Sequence, residues 1–117
     1  MKDLKISKEL IKAVLNIPKE NIVDIYMDVN YLLIKKDNNR IEEHNIYELA
    51  FKCKEWAWKN FEIMLISHYT GQCYINGDLS YLKLNWWTNT KSYQVEDNTE
   101  IEAIIKACEW ILSEVNK

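Results

Sequence analysis

Three stretches of the chain place apolar residues at the three- and four-residue spacing that is typical of amphipathic helices. The predicted helices cover residues 8–15, 45–60 and 99–115. Ser7, Asn45 and Thr99 stand at their starts, and each has a side-chain oxygen that can accept a hydrogen bond from the first helical turn. Pro18 prevents the first helix from continuing, because proline lacks the backbone N–H and clashes with the preceding turn.

The segments between these helices alternate apolar and polar residues, or carry short apolar runs, and both patterns predict β-strands. The predicted strands cover residues 21–28, 31–35, 61–69, 72–75, 81–88 and 92–96, and residues 40–44 are a candidate for one more. Residues 63–66 are apolar on both faces, so we expect them at the centre of a sheet. The pattern predicts an α+β fold with a mainly antiparallel sheet of about five strands packed by three helices. It leaves open whether the fold has two layers or is an α/β/α sandwich.

The predicted central helix is apolar on two sides. One stripe is suited to a protein core and consists of Ile46, Leu49, Ala50, Cys53, Trp56 and Ala57. A second stripe, here called the aromatic stripe, lies almost opposite and consists of Tyr47, Phe51 and Trp58. A single core explains only the first stripe. The aromatic stripe is therefore covered by another layer of this chain, by a second copy of it, or by a different molecule.

The last helix repeats the core stripe of the central helix at an offset of 55 residues, which matches Cys53 with Cys108. Its Trp110 falls on the other side of the helix, among charged residues. Trp87 lies on the less apolar face of the predicted strand 81–88. Tryptophan and tyrosine are enriched in binding hot spots. The residues predicted to bind a protein partner are therefore Tyr47, Phe51, Trp58, Trp87 and Trp110.

Length and charge narrow the function classes. With 117 residues we expect a single domain, in which residues 1–44 form an N-terminal helix and hairpin and residues 45–117 form a helix–strands–helix core. The net charge of −3 argues against a nucleic-acid binder, which normally carries a basic surface. No apolar run is long enough to span a membrane. The three cysteines lack CxxC spacing and are interpreted as reduced, structural thiols of a cytoplasmic protein.

The residues that could carry chemistry form no strong constellation. His44 and His68 are the only histidines, and neither has cysteines or carboxylates at the spacing of a zinc site. The sequence predicts no metal and no cofactor. One alternative is a small ligand-binding or hydrolytic domain, with His68 and Cys73 brought together across a hairpin. Another is a binder of single-stranded nucleic acid, which has only Lys83 and Lys91 beside its aromatic residues.

Two motifs resemble a known group of proteins. Residues 45–57, NIYELAFKCKEWA, and residues 98–112, NTEIEAIIKACEWIL, are similar to segments of small uncharacterised proteins encoded by phages and prophages. The helix–strands–helix arrangement over residues 45–115 resembles the phage α/β/α-sandwich domain of such proteins. This chain has Phe51 and Ile101 where those proteins commonly have histidine and proline.

The resemblance implies a small accessory protein of a mobile element, and it assigns no catalytic residue. Many such proteins bind and block host proteins, including defence nucleases. We therefore expect a non-enzymatic protein of the bacterial cytoplasm that binds a host or phage protein and inhibits a defence system, in the manner of an anti-CRISPR protein. Formation of a homodimer through the aromatic stripe remains an alternative.

Overall fold

The computed structural model describes residues 4–77 and 92–116, and in these residues the chain forms three helices and six strands. The helices are α1 (Lys8–Leu15), α2 (Ile46–Phe61) and α3 (Glu100–Val115). The strands are β1 (Ile22–Asp28), β2 (Tyr31–Lys36), β3 (Ile41–Asn45), β4 (Met64–Ser67), β5 (Gln72–Asn76) and β6 (Ser92–Glu96). A short 3-10 turn, Lys19–Asn21, precedes β1. The α+β class and the three helices are confirmed, and the predicted strand 81–88 lies outside the described residues.

Side-chain caps fix the start of each helix. Ser7 Oγ accepts from the backbone N–H of Leu10 at 3.0 Å at the start of α1. Asn45 Oδ1 accepts from the backbone N–H groups of Tyr47 and Glu48 at 2.9 and 3.3 Å at the start of α2. Thr99 Oγ1 does the same for α3. These bonds satisfy backbone donors that have no partner inside the helix, so the predicted starts are confirmed.

The strands form two sheets rather than one. The described residues contain an antiparallel sheet with the order β1-β2-β3 and a second with the order β4-β5-β6. The prediction of a single sheet of about five strands is therefore wrong. In both sheets, the described strands that follow one another along the chain are neighbours. Helix α2 follows β3 without a break, and its 16 residues separate the two groups of strands.

Strand β4 is shorter and more exposed than its sequence suggests. Helix α2 continues through Phe61 and ends where Glu62 adopts φ = 54°. Among the described residues, β4 pairs only with β5, and Met64 and Ile66 are 52% and 40% exposed while Leu65 is buried. The prediction of a central, two-sided strand over residues 61–69 is therefore wrong. An apolar run cannot show by itself whether both faces of a strand are covered.

A β-bulge changes which residues of β1 face inward. The alternation in the sequence predicts that Val23, Ile25 and Met27 share the inner face. The register of β1 with β2 shifts between Ile22 and Asp24. Ile22 is buried, Ile25 and Met27 are half-buried, and Val23 is exposed. The extra residue in the bulge moves Val23 to the solvent, because side chains alternate strictly between the two faces of a strand.

The core lies where α2 and α3 pack on each other. The matching stripes of the two helices are buried except for Trp56, which is half-buried, and Cys108 Sγ donates to the carbonyl oxygen of Cys53 across 3.7 Å. Helix α3 also packs on β4, β5 and β6, so its Ala103 and Ala107 are buried on a second side. Helix α1 contacts both long helices. The aromatic stripe of α2 is directed away from this core.

Candidate functional surface

The aromatic stripe is the most exposed group of large apolar side chains on a helix in the described residues. Tyr47, Phe51 and Trp58 are 58%, 63% and 54% exposed. The opposite side of α2 is buried, with Cys53 and Ala57 fully inaccessible. Helix geometry explains the separation, because residues four and seven positions apart fall on the same side of a helix. The described part of the chain therefore leaves this stripe open to solvent.

A shallow depression lies along the first half of the stripe. Its volume is about 450 Å³, and its lining residues are Tyr47, Glu48, Phe51, Lys52 and Glu55. Two of these residues are aromatic and three are charged. Aromatic residues beside charged ones are typical of protein-binding surfaces, in which apolar residues form the centre and polar residues the edge.

Four charged residues border the stripe on one side, and Lys54 lies about 60° from Phe51 on the other. With roughly 100° of rotation per residue, Glu48 and Glu55 lie about 40–60° from Phe51 around the helix axis. Lys52 and Lys59 lie beyond the two glutamates, about 80–100° from Phe51. Lys59 Nζ approaches Glu55 Oε2 at 3.6 Å, and both side chains are well exposed. A surface pair of this kind contributes little to stability, so the Glu55 carboxylate is available to another cation.

Trp110 has an aromatic partner within the chain. Its ring stacks on Tyr93 of β6, with centroids 4.4 Å apart and planes inclined by 9°. Trp110 is half-buried and packs against the core. The sequence placed it among charges on a free side of α3, because nothing in the sequence shows that β6 lies against that side. Trp87, which the sequence also assigned to the binding surface, lies outside the described residues.

His68 and Cys73 do not form a common site. Cys73 is buried on the inner face of its sheet. His68 is exposed, and its ring makes an edge-to-face contact with Tyr74 at 5.6 Å. Tyr74 follows Cys73 along β5, so the two side chains point to opposite faces, and His68 lies with Tyr74. The predicted approach of His68 to Cys73 is therefore wrong.

Burial makes the thiols poor nucleophiles. It raises the pKa of Cys73 to about 11. The pKa of Cys108 is raised well above its usual range by its contact with Cys53 and by burial. All three cysteines are free and buried, as expected for structural thiols. In the described ranges, no three histidine, cysteine or acidic residues are grouped closely enough to hold a metal ion.

The first sheet carries a charged cluster that was not predicted from the sequence. Glu42 pairs with Lys36 through one carboxylate oxygen, and its other oxygen lies 3.0 Å from His44 Nε2. The bond from Lys36 is the main cause that lowers the pKa of Glu42, and His44 contributes further. Because Glu42 and His44 are two residues apart on one strand, their spacing alone could have indicated the pair.

Across residues 4–77 and 92–116, no helix combines the length and the apolar character needed to cross a membrane. No family model, curated protein or solved structure matches the chain in comparisons with known proteins.

Proposed function

We propose that this chain is a phage or prophage accessory protein that binds a host protein through the aromatic stripe and thereby inhibits a defence system. The protein acts by occupying a surface of its target and carries out no chemistry of its own. The proposed genomic origin rests on the resemblance of the sequence motifs at residues 45–57 and 98–112 to phage-encoded proteins. A phage or prophage protein of this kind would act in the bacterial cytoplasm.

The exposure of Tyr47, Phe51 and Trp58 carries the proposal. Aromatic side chains offer 150–250 Å² each, so the exposed fractions leave about 350 Å² of surface along α2. Burying this area would contribute about 9 kcal/mol at 25 cal/mol per Å². Association costs offset much of that gain. Stable interfaces bury about 800 Å² per partner, so the target must also contact residues around the stripe.

The experiment compares wild-type protein with the Y47A/F51A/W58A variant as baits in lysate of the bacterial host. Wild type is expected to retain a specific host protein, and the variant is expected to lose it while circular dichroism shows an intact fold. The variant Y69A is the matched control, because Tyr69 is 87% exposed in the turn between β4 and β5. Equal recovery by wild type and the stripe variant would contradict the proposal.

Light scattering on the purified protein tests the alternative that a second copy covers the stripe. The proposal predicts a monomer of 14.0 kDa at micromolar concentration. If the wild type forms a dimer and the Y47A/F51A/W58A variant does not, the stripe is covered by a second copy of this chain and not by a host target.

A further inference from the structure

The aromatic stripe has the spacing of a helix-packing seam. Tyr47, Phe51, Lys54 and Trp58 follow one another at intervals of four, three and four residues. This is the spacing of the core positions of a coiled coil, which a second helix can pack along. Lys54 is half-buried, so the seam has two apolar ends and one cationic position between them.

The two edges of this seam differ. On one edge Ala50 and Ala57 are buried in the core of this chain, so a second helix cannot approach there. On the other edge Glu48 is exposed, and the carboxylate of Glu55 is 42% exposed. At the positions that flank the seam directly, a packed helix would therefore meet the carboxylates of Glu48 and Glu55, while the lysines on this side lie one position behind them, at 52 and 59, and Lys54 lies within the seam.

From this charge pattern we infer that the bound element of the target is an amphipathic helix with lysine or arginine residues beside its apolar face. This inference rests on the proposed function and specifies the chemistry of the target. Cations on the incoming helix would pair with Glu48 and Glu55 at the edge of the interface. Glu55 pairs with Lys59 at 3.6 Å in an exposed setting, and a cation of the target can replace this weak interaction.

The same pattern disfavours a second copy of the chain as the occupant. In an antiparallel pair of α2 helices related by a two-fold axis, the acidic edges of both copies lie on the same side of the interface. Glu48 and Glu55 would then face their counterparts, and like charges in contact disfavour association.

Two synthetic peptides of identical composition test this inference. Both carry leucine at the core positions of about three heptads. One has lysine at the flanking positions and glutamate on the outer face, and the other has the two exchanged. Fluorescence anisotropy at low ionic strength is expected to show about tenfold tighter binding of the lysine-flanked peptide, with the difference shrinking as salt is added. The Y47A/F51A/W58A variant should bind neither peptide.

Charge reversal provides the matched control. The E48K/E55K variant is expected to prefer the glutamate-flanked peptide. The E20K/D37K variant has the same change of net charge, at exposed positions in the first 44 residues, and is expected to keep the preference for the lysine-flanked peptide. Equal binding of both peptides, or binding of neither by wild type, would overturn the inference. If the stripe variant loses the host protein while E48K/E55K retains it, the proposed function stands and the inference fails.

Discussion

Glu109 links the start of α1 to the middle of α3, and its removal provides a quantitative test of the fold. Its Oε2 accepts from the backbone N–H of Ser7 at 2.8 Å, and its Oε1 accepts from Ser7 Oγ at 2.6 Å. Ser7 Oγ in turn accepts from the backbone N–H of Leu10. The carboxylate therefore holds the capping residue of α1 in place across a separation of 102 residues in sequence.

The E109A variant loses two hydrogen bonds to a charged acceptor. Such bonds contribute about 1.5–3 kcal/mol each. Because the pair is only partly buried, we expect a total loss of about 2–3 kcal/mol in the free energy of unfolding. For a chain of 117 residues, a change of 1 kcal/mol in the free energy of unfolding shifts the midpoint of thermal unfolding by about 4 °C, so that midpoint should fall by about 8–12 °C.

Urea denaturation followed by circular dichroism, together with a thermal scan, measures the change. The E109Q variant keeps the shape and one acceptor oxygen of the side chain, so it should recover about half of the loss. The control is E20A, which removes an exposed carboxylate from the 3-10 turn. If the free energy of unfolding of E109A lies within about 0.5 kcal/mol of the wild-type value, the contact between Glu109 and Ser7 does not stabilise the docking of α1.

Three further predictions follow from the structure. Gly71 has φ = 101°, and a Cβ there would lie 2.1 Å from the carbonyl oxygen of Asp97. G71A should therefore lower the free energy of unfolding, measured with denaturant, by at least about 3 kcal/mol. A smaller loss would contradict this close approach. The pKa of Glu42 is lowered, so the ionised Glu42 stabilises the fold above the unfolded-state pKa of this carboxyl, and the stabilisation is lost as the pH falls. E42Q should therefore weaken the dependence of the free energy of unfolding on pH in the acidic range. An unchanged pH dependence would refute the role of Lys36. Because all three thiols are buried, an aromatic disulfide reagent should label them only at the rate of unfolding; rapid labelling of folded protein would contradict their burial.

The local structure could be predicted from the sequence because it depends on neighbouring residues. Ser7, Asn45 and Thr99 mark helix starts through bonds to backbone groups two or three positions away. The core stripes of α2 and α3 follow from helical periodicity alone. The antiparallel pairing of β1 with β2 follows from the tight turn between them.

The arrangement of these elements depends on contacts between distant residues, and there the sequence was insufficient. Nothing local distinguishes one sheet of about five strands from two sheets of three. The bulge that exposes Val23 needs the partner strand to define it. The stacking of Trp110 on Tyr93 joins residues that only the tertiary fold brings together.

The candidate surface was predicted in part for the same reason. Periodicity placed Tyr47, Phe51 and Trp58 on one side of α2, because helical spacing is a local property. Whether another part of the chain covers that side is a tertiary property, and the structure was needed to show their exposure. Burial of Cys73 away from His68 likewise required the register of β4 with β5.

The affinity of the isolated host target for variants at Phe51 tests the central claim most directly. Phe51 is the most exposed member of the aromatic stripe and lies between Tyr47 and Trp58. Titration calorimetry with the purified target should show that F51A weakens binding by about tenfold or more, the effect of losing a hot-spot side chain, while Y69A binds like wild type. Equal affinities of F51A and wild type would contradict the assignment of the aromatic stripe as the binding surface.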